Sequence, residues 1–440
     1  MRGVDQLRTL SVRLLVDQGE GDHAHVDLGL IVPLVGIAAC LCVLGVSLAV
    51  DGTLGKFVSF SLGFLGLCLL MAAAAFAPIR SMVLWGAIFL PLTGLWLVPA
   101  LDAGIERIAA FVMLVVIGAV LYGSTAAVLI ALWQIISLRW SLRPLLVSVG
   151  LAITLGLSVV LAEVLAAAAG FVLAPIGLLG VYGGTGCLVA TLGLFAAGGV
   201  LVGLAACIVF SFAHRAALSA CVFALSLLVG LISGPDRPDL PAISIAPISH
   251  DPDPKDKWTT DGSVQVYDAL VDASTGLDTD LVIWPENAVT ATFDLAQIAD
   301  EPPLGDRAHL FGMTRYAGPD GPALVNSAVL LERGRVQVSD KVHLVPVIER
   351  SMPFFAPTDL ILGTRRIFTL ADDTRILPLL CYEVAFPVPD GDLDENPDII
   401  VVLAAETGFW QRMTGAIAAR HARARELETG IRVVRVSDRR

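Results

Sequence analysis

The sequence predicts a polytopic α-helical membrane domain followed by an α/β domain, and three observations support this fold class. Hydrophobic residues make up 56% of the 440 residues and the mean hydropathy is +0.77, values typical of membrane proteins. The apolar excess is confined to residues 28–233, whereas residues 234–440 carry the scattered charge of an ordinary globular domain. In that second half short apolar runs alternate with helix-like stretches, a pattern typical of layered α/β domains.

The charge balance excludes one class of partner. The net charge is −12 and no basic patch with interleaved aromatic residues occurs, so we expect no nucleic-acid binding. Only four of the 29 basic residues are lysines, namely Lys56, Lys255, Lys257 and Lys341. Because arginine serves for ordinary surface charge here, a lysine at the end of a strand is a candidate functional residue.

The first half divides into a charged N-terminal segment and a series of apolar spans. Residues 1–27 carry too many charges for a signal peptide and have no cleavage site, which predicts a cytoplasmic N-terminal segment. Residues 28–233 are predicted to be a transmembrane domain of about seven helices, most of them near the ~20 residues needed to cross a bilayer. The predicted spans are Leu28–Val50, Phe57–Ala77, Met82–Leu101, Ile108–Leu138, Leu145–Leu165, Gly184–Ala213 and Ala216–Ser233.

The basic residues of the short loops indicate the orientation, since cytoplasmic loops carry an excess of Lys and Arg. With the N-terminus in the cytoplasm, the outer loops carry only Lys56 and Arg107. The inner segments then carry Arg2, Arg8, Arg13, Arg80, Arg139, Arg143 and Arg215. Because the number of spans is odd, residues 234–440 are predicted to lie outside the cytoplasm.

Two features of the membrane half leave alternatives open. Glu163 falls at the end of the fifth span, where it is either a costly intramembrane carboxylate with a function or an interfacial residue beyond the span. Residues 166–183 carry no charge and contain Pro175 and several glycines, which indicates a re-entrant or interfacial segment at the outer leaflet.

The second half is predicted to begin after a linker at 234–238, where Gly and Pro accompany the change in composition. Helices are predicted at Trp258–Ala273, Phe293–Ala299 and Met413–Thr429. The predicted strands are Ala242–Ala246, Thr279–Trp284, His309–Met313, Ala323–Leu331, Arg375–Cys381, Asp398–Ala404 and Ile431–Val436.

Three short stretches of this half each present a chemically useful side chain, and two of them are the ends of predicted strands. Cys381 is the only one of the seven cysteines in the polar half, so it has no neighbour for a disulfide. Glu286 follows a strand that Pro285 terminates, and Lys341 lies in the same half. Taken singly, each is more often a packed thiol or a surface charge. Together they form a coherent acyl-transfer set, because a carboxylate can activate a thiol and an ammonium can stabilise an oxyanion.

These stretches resemble the nitrilase (carbon–nitrogen hydrolase) superfamily, and more narrowly its membrane branch, the apolipoprotein N-acyltransferases. Further points of resemblance are the seven spans before an outward-facing domain, the Gly180–Gly183 stretch, and Arg425–Gly430 with Arg435. The three motifs are Trp284-Pro285-Glu286, the stretch Lys341-Val342-His343-Leu344-Val345-Pro346-Val347-Ile348-Glu349, and Cys381-Tyr382-Glu383. The resemblance implies an αββα sandwich for residues 234–440.

The resemblance also implies roles for individual residues. Glu286 would be the general base, Lys341 the oxyanion-stabilising cation and Cys381 the nucleophile. The supporting residues would be Glu349, Tyr382, which helps to shape the oxyanion pocket, and Glu383. Trp258 and Trp284 would bind substrate.

The implied reaction moves an acyl chain from a phospholipid onto the cysteine and then onto the N-terminal amine of a diacylglyceryl-cysteine lipoprotein. It uses no metal and no cofactor. The implied partners are the phospholipid, the lipoprotein and the bilayer, and we expect a monomer. The implied location is the bacterial cytoplasmic (inner) membrane, with the catalytic domain on its outer, periplasmic face.

The chain departs from the family pattern at residues 404–410 and at Val347-Ile348. Compared with the family pattern, residues 234–440 are expected to lack the last strands and the final transmembrane helix. Two alternatives to the transferase therefore stay open. One is a membrane-tethered amidase or carbon–nitrogen hydrolase, in which water accepts the acyl group. The other is a degenerate, non-catalytic homologue.

Overall fold

The structure is a computed structural model. Contacts divide the chain into two compact units, one of residues 1–95 and 108–235 and one of residues 96–107 and 236–440. We describe each unit by itself. The residues that the structure describes are 28–48, 52–95, 101, 104–140, 144–182, 184–212, 222–223, 225–226, 229, 234–253, 256–300, 302–317, 323–350, 360–407, 409 and 411–438.

The described part of the first unit is helical and apolar. A 3-10 segment, Ile176–Gly180, separates the fifth helix from the sixth. The helices are α1 (Leu28–Ser47), α2 (Gly52–Phe76), α3 (Pro78–Thr93), α4 (Gly104–Arg139), α5 (Pro144–Ala168), α6 (Gly186–Leu192) and α7 (Leu194–Phe212). Within the described residues, α1, α2, α4 and α5 are long and apolar enough to cross a membrane. The prediction of an α-helical membrane domain is confirmed.

Two predicted spans differ from the helices observed. The span Gly184–Ala213 is broken at Gly193, whose φ of +81° ends α6 before α7 begins. Glycine adopts this backbone conformation without steric cost, so the chain can break here although every neighbouring residue is apolar. The helix within Met82–Leu101 ends at Thr93. The N-terminal segment 1–27 and most of the span Ala216–Ser233 lie outside the described residues.

Glu163 lies inside α5, and its side chain is buried. One carboxylate oxygen accepts a hydrogen bond of 2.8 Å from the backbone N–H of Ile176, the first residue of the 3-10 segment. Residues 171–181 are themselves buried. Of the two interpretations left open by the sequence, the structure favours the carboxylate within the protein interior, where it holds the segment after α5.

The second unit contains nine strands in its described part. They are β1 (Ile245–Pro247), β2 (Leu281–Ile283), β3 (Ala308–Tyr316), β4 (Leu324–Glu332), β5 (Arg335–Asp340), β6 (Phe368–Thr369), β7 (Arg375–Leu380), β8 (Ile399–Ala404) and β9 (Arg432–Ser437). The helices of this unit are α8 (Thr260–Ser274), α9 (Leu295–Asp300), α10 (Asp390–Asp394) and α11 (Gln411–Thr429).

The strands form two sheets with mixed topology. One sheet has the order β1-β2-β3-β4-β5, in which β1, β2 and β3 are parallel and β4 and β5 are antiparallel neighbours. The other has the order β6-β7-β8-β9, in which β7, β8 and β9 are parallel. The parallel strands at the centre of each sheet are buried on both faces, which explains their unbroken apolar sequences.

Alternate residues of each strand point to opposite faces, and this alternation builds the layers. Leu281 and Ile283 of β2 pack against residues of the second sheet such as Ile399, in the core between the sheets. Val282 faces the other way, toward Leu270 of α8. On the far side, the outer face of β7 and β8 packs against Ala422 of α11. The order helix, sheet, sheet, helix confirms the predicted αββα sandwich.

The sequence-based assignment missed two strands of this sandwich. The strand β5 is an amphipathic hairpin partner of β4, joined to it at Arg333 and Gly334, both of which have positive φ. The strand β6 has only two residues, too few to show a period of two. The seven predicted strands all correspond to observed strands, with ends that differ by up to three residues.

His309 is buried among the residues that pack between the first sheet and α8. Its imidazole contacts the Trp284 indole edge to face, with ring centroids 3.9 Å apart, and also lies against Phe311. Among the residues that the structure describes, neither ring nitrogen of this buried histidine finds a hydrogen-bond partner. Burial lowers the pKa of His309 from 6.5 to about 3, because the apolar surroundings disfavour the charged form.

We predict that His309 makes the stability of this unit depend on pH. Below pH 6.5 the unfolded chain takes up a proton that the folded chain does not bind until about pH 3. The contribution of neutral His309 to the free energy of unfolding is therefore fully present above pH 6.5. It falls by about 1.4 kcal/mol per pH unit as the pH falls below that value. Thermal unfolding of the full chain between pH 7.5 and 5 should show a shallower decline for His309→Leu. An unchanged decline would contradict the assignment.

Candidate active site

Cys381 occupies a sharp turn at the end of β7. It is the first residue of the 3-10 turn Cys381–Ala385, and its φ of +48° lies in the left-handed region that residues other than glycine rarely adopt. Such a conformation costs about 1–3 kcal/mol and persists only where the surroundings enforce it. Residues 376–380 of β7 are buried, whereas Cys381 as a residue has intermediate exposure.

Glu286 lies just beyond the end of β2, as the Trp-Pro-Glu stretch predicts. The backbone there runs very close to β3, where the Pro285 carbonyl accepts a hydrogen bond from Gly312. A Cβ atom on Gly312 would lie 2.5 Å from the Cα of Glu286, so only glycine fits at that position. The side chain of Glu286 is 3% exposed, which makes it a buried carboxylate.

Lys341 follows the last residue of β5 and is wholly buried, with a side-chain exposure of 0%. Its ammonium lies 2.8 Å from Oε1 of Glu286 and 2.7 Å from Oε1 of Glu349. The other oxygen of Glu349 accepts a hydrogen bond from the backbone N–H of Val345, which closes the loop between the lysine and the glutamate. The structure therefore joins three of the predicted residues directly.

The charges around Lys341 change the pKa values of Glu286 and of Lys341 itself. Burial raises the pKa of Glu286, Lys341 opposes the rise, and the negative charge of Glu349 adds to it. Burial disfavours the charged form of Lys341, but the two carboxylates outweigh it and raise the lysine pKa. Two acids share one cation here, so Glu286 holds a proton more readily than an exposed glutamate would.

The electrostatic field of this cluster also reaches Cys381. Burial raises the pKa of the thiol well above 9.0, Glu286 raises it further and Lys341 lowers it. The resting form is therefore a neutral thiol rather than a thiolate. A nucleophile in this state needs a base at the moment of attack, and a carboxylate with a raised pKa has the appropriate proton affinity.

Glu383 connects the turn of Cys381 to the loop of Lys341. One carboxylate oxygen accepts a hydrogen bond of 2.8 Å from the backbone N–H of Leu380. The other accepts hydrogen bonds of 2.8 Å from the backbone N–H of Val342 and from Arg365. Arg365 is held in turn by Asp392. This buried carboxylate thus fastens the residue before Cys381 and the residue after Lys341 to one anchor.

The remaining predicted site residues are distributed differently. Tyr382 is buried with its ring edge against Phe386. Trp258 is 52% exposed, so its indole is available for contact with a ligand. Trp284 is wholly buried and donates a hydrogen bond to the Ser274 hydroxyl. Its predicted substrate-binding role is at odds with this position, because the alternation along β2 turns it to the face covered by α8.

Two groups that the sequence did not single out complete the surroundings of Glu286. The side-chain amide of buried Asn326 on β4 donates a hydrogen bond of 2.7 Å to the same oxygen that Lys341 contacts. The backbone N–H of Ala405, just after β8, donates a bond of 3.2 Å to the other oxygen. A polar residue in an apolar strand was the available signal for Asn326. A backbone donor such as Ala405 leaves no signal in the sequence.

The described part of the unit thus brings a thiol, a buried carboxylate and a buried ammonium into one electrostatic cluster at the ends of β2, β5 and β7. This set can remove a proton from sulfur and stabilise negative charge on an attacked carbonyl oxygen. Among the residues that the structure describes, no group of three or more His, Cys, Asp or Glu side chains has the arrangement of a metal site.

Solved structures similar to this chain come from the nitrilase superfamily. One is an amidase from Nesterenkonia AN1, with 17% identity and a TM-score of 0.31 over 46% of this chain and 78% of the amidase. Another is a carbon–nitrogen hydrolase from Helicobacter pylori G27, with 14% identity and a TM-score of 0.31 over 44% and 73% of the two chains. At such TM-scores the αββα assignment depends on the topology of the sheets themselves.

Curated relatives of this chain are apolipoprotein N-acyltransferases. The protein from Brucella suis biovar 1 is 27% identical over 186 residues, which cover 36% of this chain and 34% of that protein. The protein from Rhizobium rhizogenes strain K84 is 29% identical over 185 residues, or 36% and 33%. No family model matches the chain. The resemblance indicated by the motifs is confirmed, although the chain spans only about a third of the length of these relatives.

We predict that Glu349→Gln changes how the alkylation rate of Cys381 depends on pH. The acid limb of this profile, the range in which reactivity rises with pH, should move to lower pH. Glu286 must be ionised to accept the thiol proton, and the charge of Glu349 raises the pKa of Glu286. Removing that charge should lower the pH at which reactivity is half-maximal, by about one unit. The rate of alkylation by iodoacetamide, followed by mass spectrometry on the peptide that carries Cys381, measures this limb. A limb that stays in place or moves upward would contradict the prediction.

Proposed function

We propose that this protein is a membrane-bound acyltransferase in which Cys381 carries the acyl chain as a thioester. The donor is a phospholipid, and the acceptor is the N-terminal amine of a diacylglyceryl-cysteine lipoprotein. The proposal is supported by the similarity to apolipoprotein N-acyltransferases, whose names give the reaction class. The apolar helices α1, α2, α4 and α5 are consistent with lipid substrates.

One observation carries the proposal, namely the contact of the buried Lys341 ammonium with Glu286 at 2.8 Å and with Glu349 at 2.7 Å. Burial of the Lys341 and Glu286 charges has a large desolvation cost, and a purely structural role would be served as well by apolar residues. Such a cluster at strand ends, next to a thiol in a rare backbone conformation, is typical of a site shaped for chemistry.

The first half-reaction loads the enzyme. Glu286 takes the proton of the Cys381 thiol while the sulfur attacks the ester carbonyl of the phospholipid. Lys341 stabilises the resulting oxyanion. The C–O bond then breaks, and the lysophospholipid alkoxide takes the proton from Glu286. The products are a lysophospholipid and an acyl-cysteine thioester.

The second half-reaction transfers the acyl chain from Cys381 to the acceptor. The neutral amine of the lipoprotein attacks the thioester carbonyl, and Glu286 receives a proton from the attacking nitrogen. The C–S bond breaks, and the departing sulfur takes that proton back. The product is an amide, and the enzyme returns to its resting thiol. Neither step uses a metal or an organic cofactor.

We further propose that the domains follow the boundaries 28–233 and 234–440 and that the protein resides in the bacterial inner membrane with its α/β domain on the periplasmic face. The distribution of basic residues supports this orientation, because arginine is concentrated in every second loop. A catalytic domain on that face would meet lipoproteins after their export. We expect the enzyme to act as a monomer.

The test is to incubate the purified full chain with phosphatidylethanolamine and to measure the intact mass. The expected result is one acyl adduct on Cys381, followed by transfer of the chain to a diacylated lipopeptide. If only free fatty acid appears, the protein is a hydrolase and the transferase proposal fails. If no adduct forms, neither enzymatic proposal stands, which leaves the non-catalytic homologue.

We predict that three substitutions separate the proposed roles. Cys381→Ser should abolish the adduct, since an alkoxide is much harder to generate than a thiolate. Lys341→Arg should reduce acylation about 100- to 1,000-fold, because a planar guanidinium does not replace the compact ammonium. Glu286→Gln should leave the thiol largely unreactive. The rate of adduct formation measures all three.

The matched control is Cys207→Ser in α7, which makes the same chemical change at a partly buried cysteine of the other unit. It should acylate at the wild-type rate. Wild-type rates in Lys341→Arg or Glu286→Gln would exclude the roles proposed for these residues.

A further inference from the structure

A second buried ion pair lies beyond the cluster of Glu286, Lys341 and Glu349. The ammonium of Lys257 and the carboxylate of Asp438 are 3.3 Å apart, with side-chain exposures of 6% and 4%. The two residues are 181 positions apart in sequence. Lys257 belongs to the 3-10 turn before α8, and Asp438 directly follows β9. The pair therefore joins the outer helix of one sheet to the last strand of the other.

The carboxylate of Asp438 accepts most of its hydrogen bonds from the loop after β8. One carboxylate oxygen accepts hydrogen bonds from the backbone N–H groups of Glu406, at 2.7 Å, and Thr407, at 3.1 Å. The other oxygen, which contacts Lys257, also accepts one from the Thr407 hydroxyl. The backbone N–H of Asp438 itself donates to the Ala404 carbonyl, at 3.2 Å. The loop 404–407 is thus fastened at both of its ends.

The residue between those fastened ends is Ala405, whose N–H donates to Oε2 of Glu286. A hydrogen bond from a backbone amide stabilises the ionised carboxylate and fixes its orientation. Burial raises the pKa of Glu286, and the positive charge of Lys257 is one of the influences that oppose the rise. Lys257 and Asp438 therefore act on Glu286 in two ways, through the position of an amide and through the field of a cation.

We propose that Lys257 and Asp438 are positioning residues that hold the loop 404–407 so that the Ala405 amide keeps Glu286 oriented and ionised for proton transfer from Cys381. This inference rests on the proposed role of Glu286 as the general base. It assigns a function to a lysine and an aspartate that touch none of the reacting groups. It also accounts for the cost of burying a second pair of charges in the same unit.

The positioning role predicts the direction in which the pH profile of Cys381 alkylation shifts in variants of this pair. Lys257→Met removes the cation and one partner of Asp438, and Thr407→Val removes one hydrogen bond between Asp438 and the loop without changing a charge. Each change makes the ionised form of Glu286 less favourable, so the acid limb of Cys381 reactivity should move to higher pH, by about one unit for Lys257→Met. This direction is opposite to the shift expected for Glu349→Gln. A loss of folding alone would lower the amplitude at every pH without moving the limb.

The experiment measures iodoacetamide alkylation of Cys381 against pH in the purified full chain, together with the thermal unfolding midpoint of each variant. Asp398→Asn is the matched control. Asp398 also accepts a hydrogen bond from a backbone N–H, that of Arg375, but it lies at the opposite end of β8. Its acid limb should coincide with that of the wild type. Thr407→Val should give a smaller upward shift than Lys257→Met, and it keeps the proposal testable if Lys257→Met does not fold.

The proposal is overturned if the acid limbs of Lys257→Met and Thr407→Val both stay at the pH of the wild type. It is also overturned if Asp398→Asn shifts the acid limb as far as these variants do. Because alkylation requires no lipid, this outcome is independent of acyl transfer. If the wild type forms no thioester with phosphatidylethanolamine, the proposed transferase function fails, while the alkylation profiles still decide whether the pair positions Glu286.

Discussion

The buried ammonium of Lys341 is the constraint on which the second unit depends. A cation with no solvent contact must have its charge compensated, and the fold supplies Glu286 from the end of β2 and Glu349 from the loop that follows the lysine. The parallel strands, the glycine at 312 and the hydrogen bonds of Asn326 all bring groups to this one point. Removal of any partner would leave an uncompensated charge in the interior, which is far more costly than the loss of an exposed ion pair.

The same cluster explains why the unit tolerates unfavourable local structure. Cys381 adopts a left-handed backbone conformation, and Val347, a β-branched residue in the loop between Lys341 and Glu349, has a φ of +72°. Conformations of this kind are expensive in isolated turns. Here each lies next to a carboxylate that accepts backbone hydrogen bonds, Glu383 in the first case and Glu349 in the second. The polar anchors thus stabilise backbone conformations that would be costly in an isolated turn.

The layered architecture could be predicted from the sequence because it follows from periodicity and composition. The apolar runs at 281–283, 376–380 and 399–404 are long enough to be recognised as strands buried on both faces. Glu286 and Cys381 were proposed as site residues because each follows such a run, whereas Lys341 follows β5, a strand that the sequence pattern did not reveal. The contacts of Asn326, Ala405 and Asp438 could not be predicted, since they depend on which strands are neighbours and in what register. The burial of Trp284 could not be predicted for a related reason, since one residue separates the inner face of β2 from its outer face.

Glu383 has a consequence for the way the site comes apart. The amides of Leu380 and Val342 share this single acceptor, one from the turn that presents the sulfur and one from the loop that presents the amine. Because Glu383 belongs to the turn of Cys381, unfolding of that turn would remove the acceptor of the Val342 amide and release the start of the loop that follows Lys341. The backbone positions of the sulfur and of the amine are therefore linked through one carboxylate.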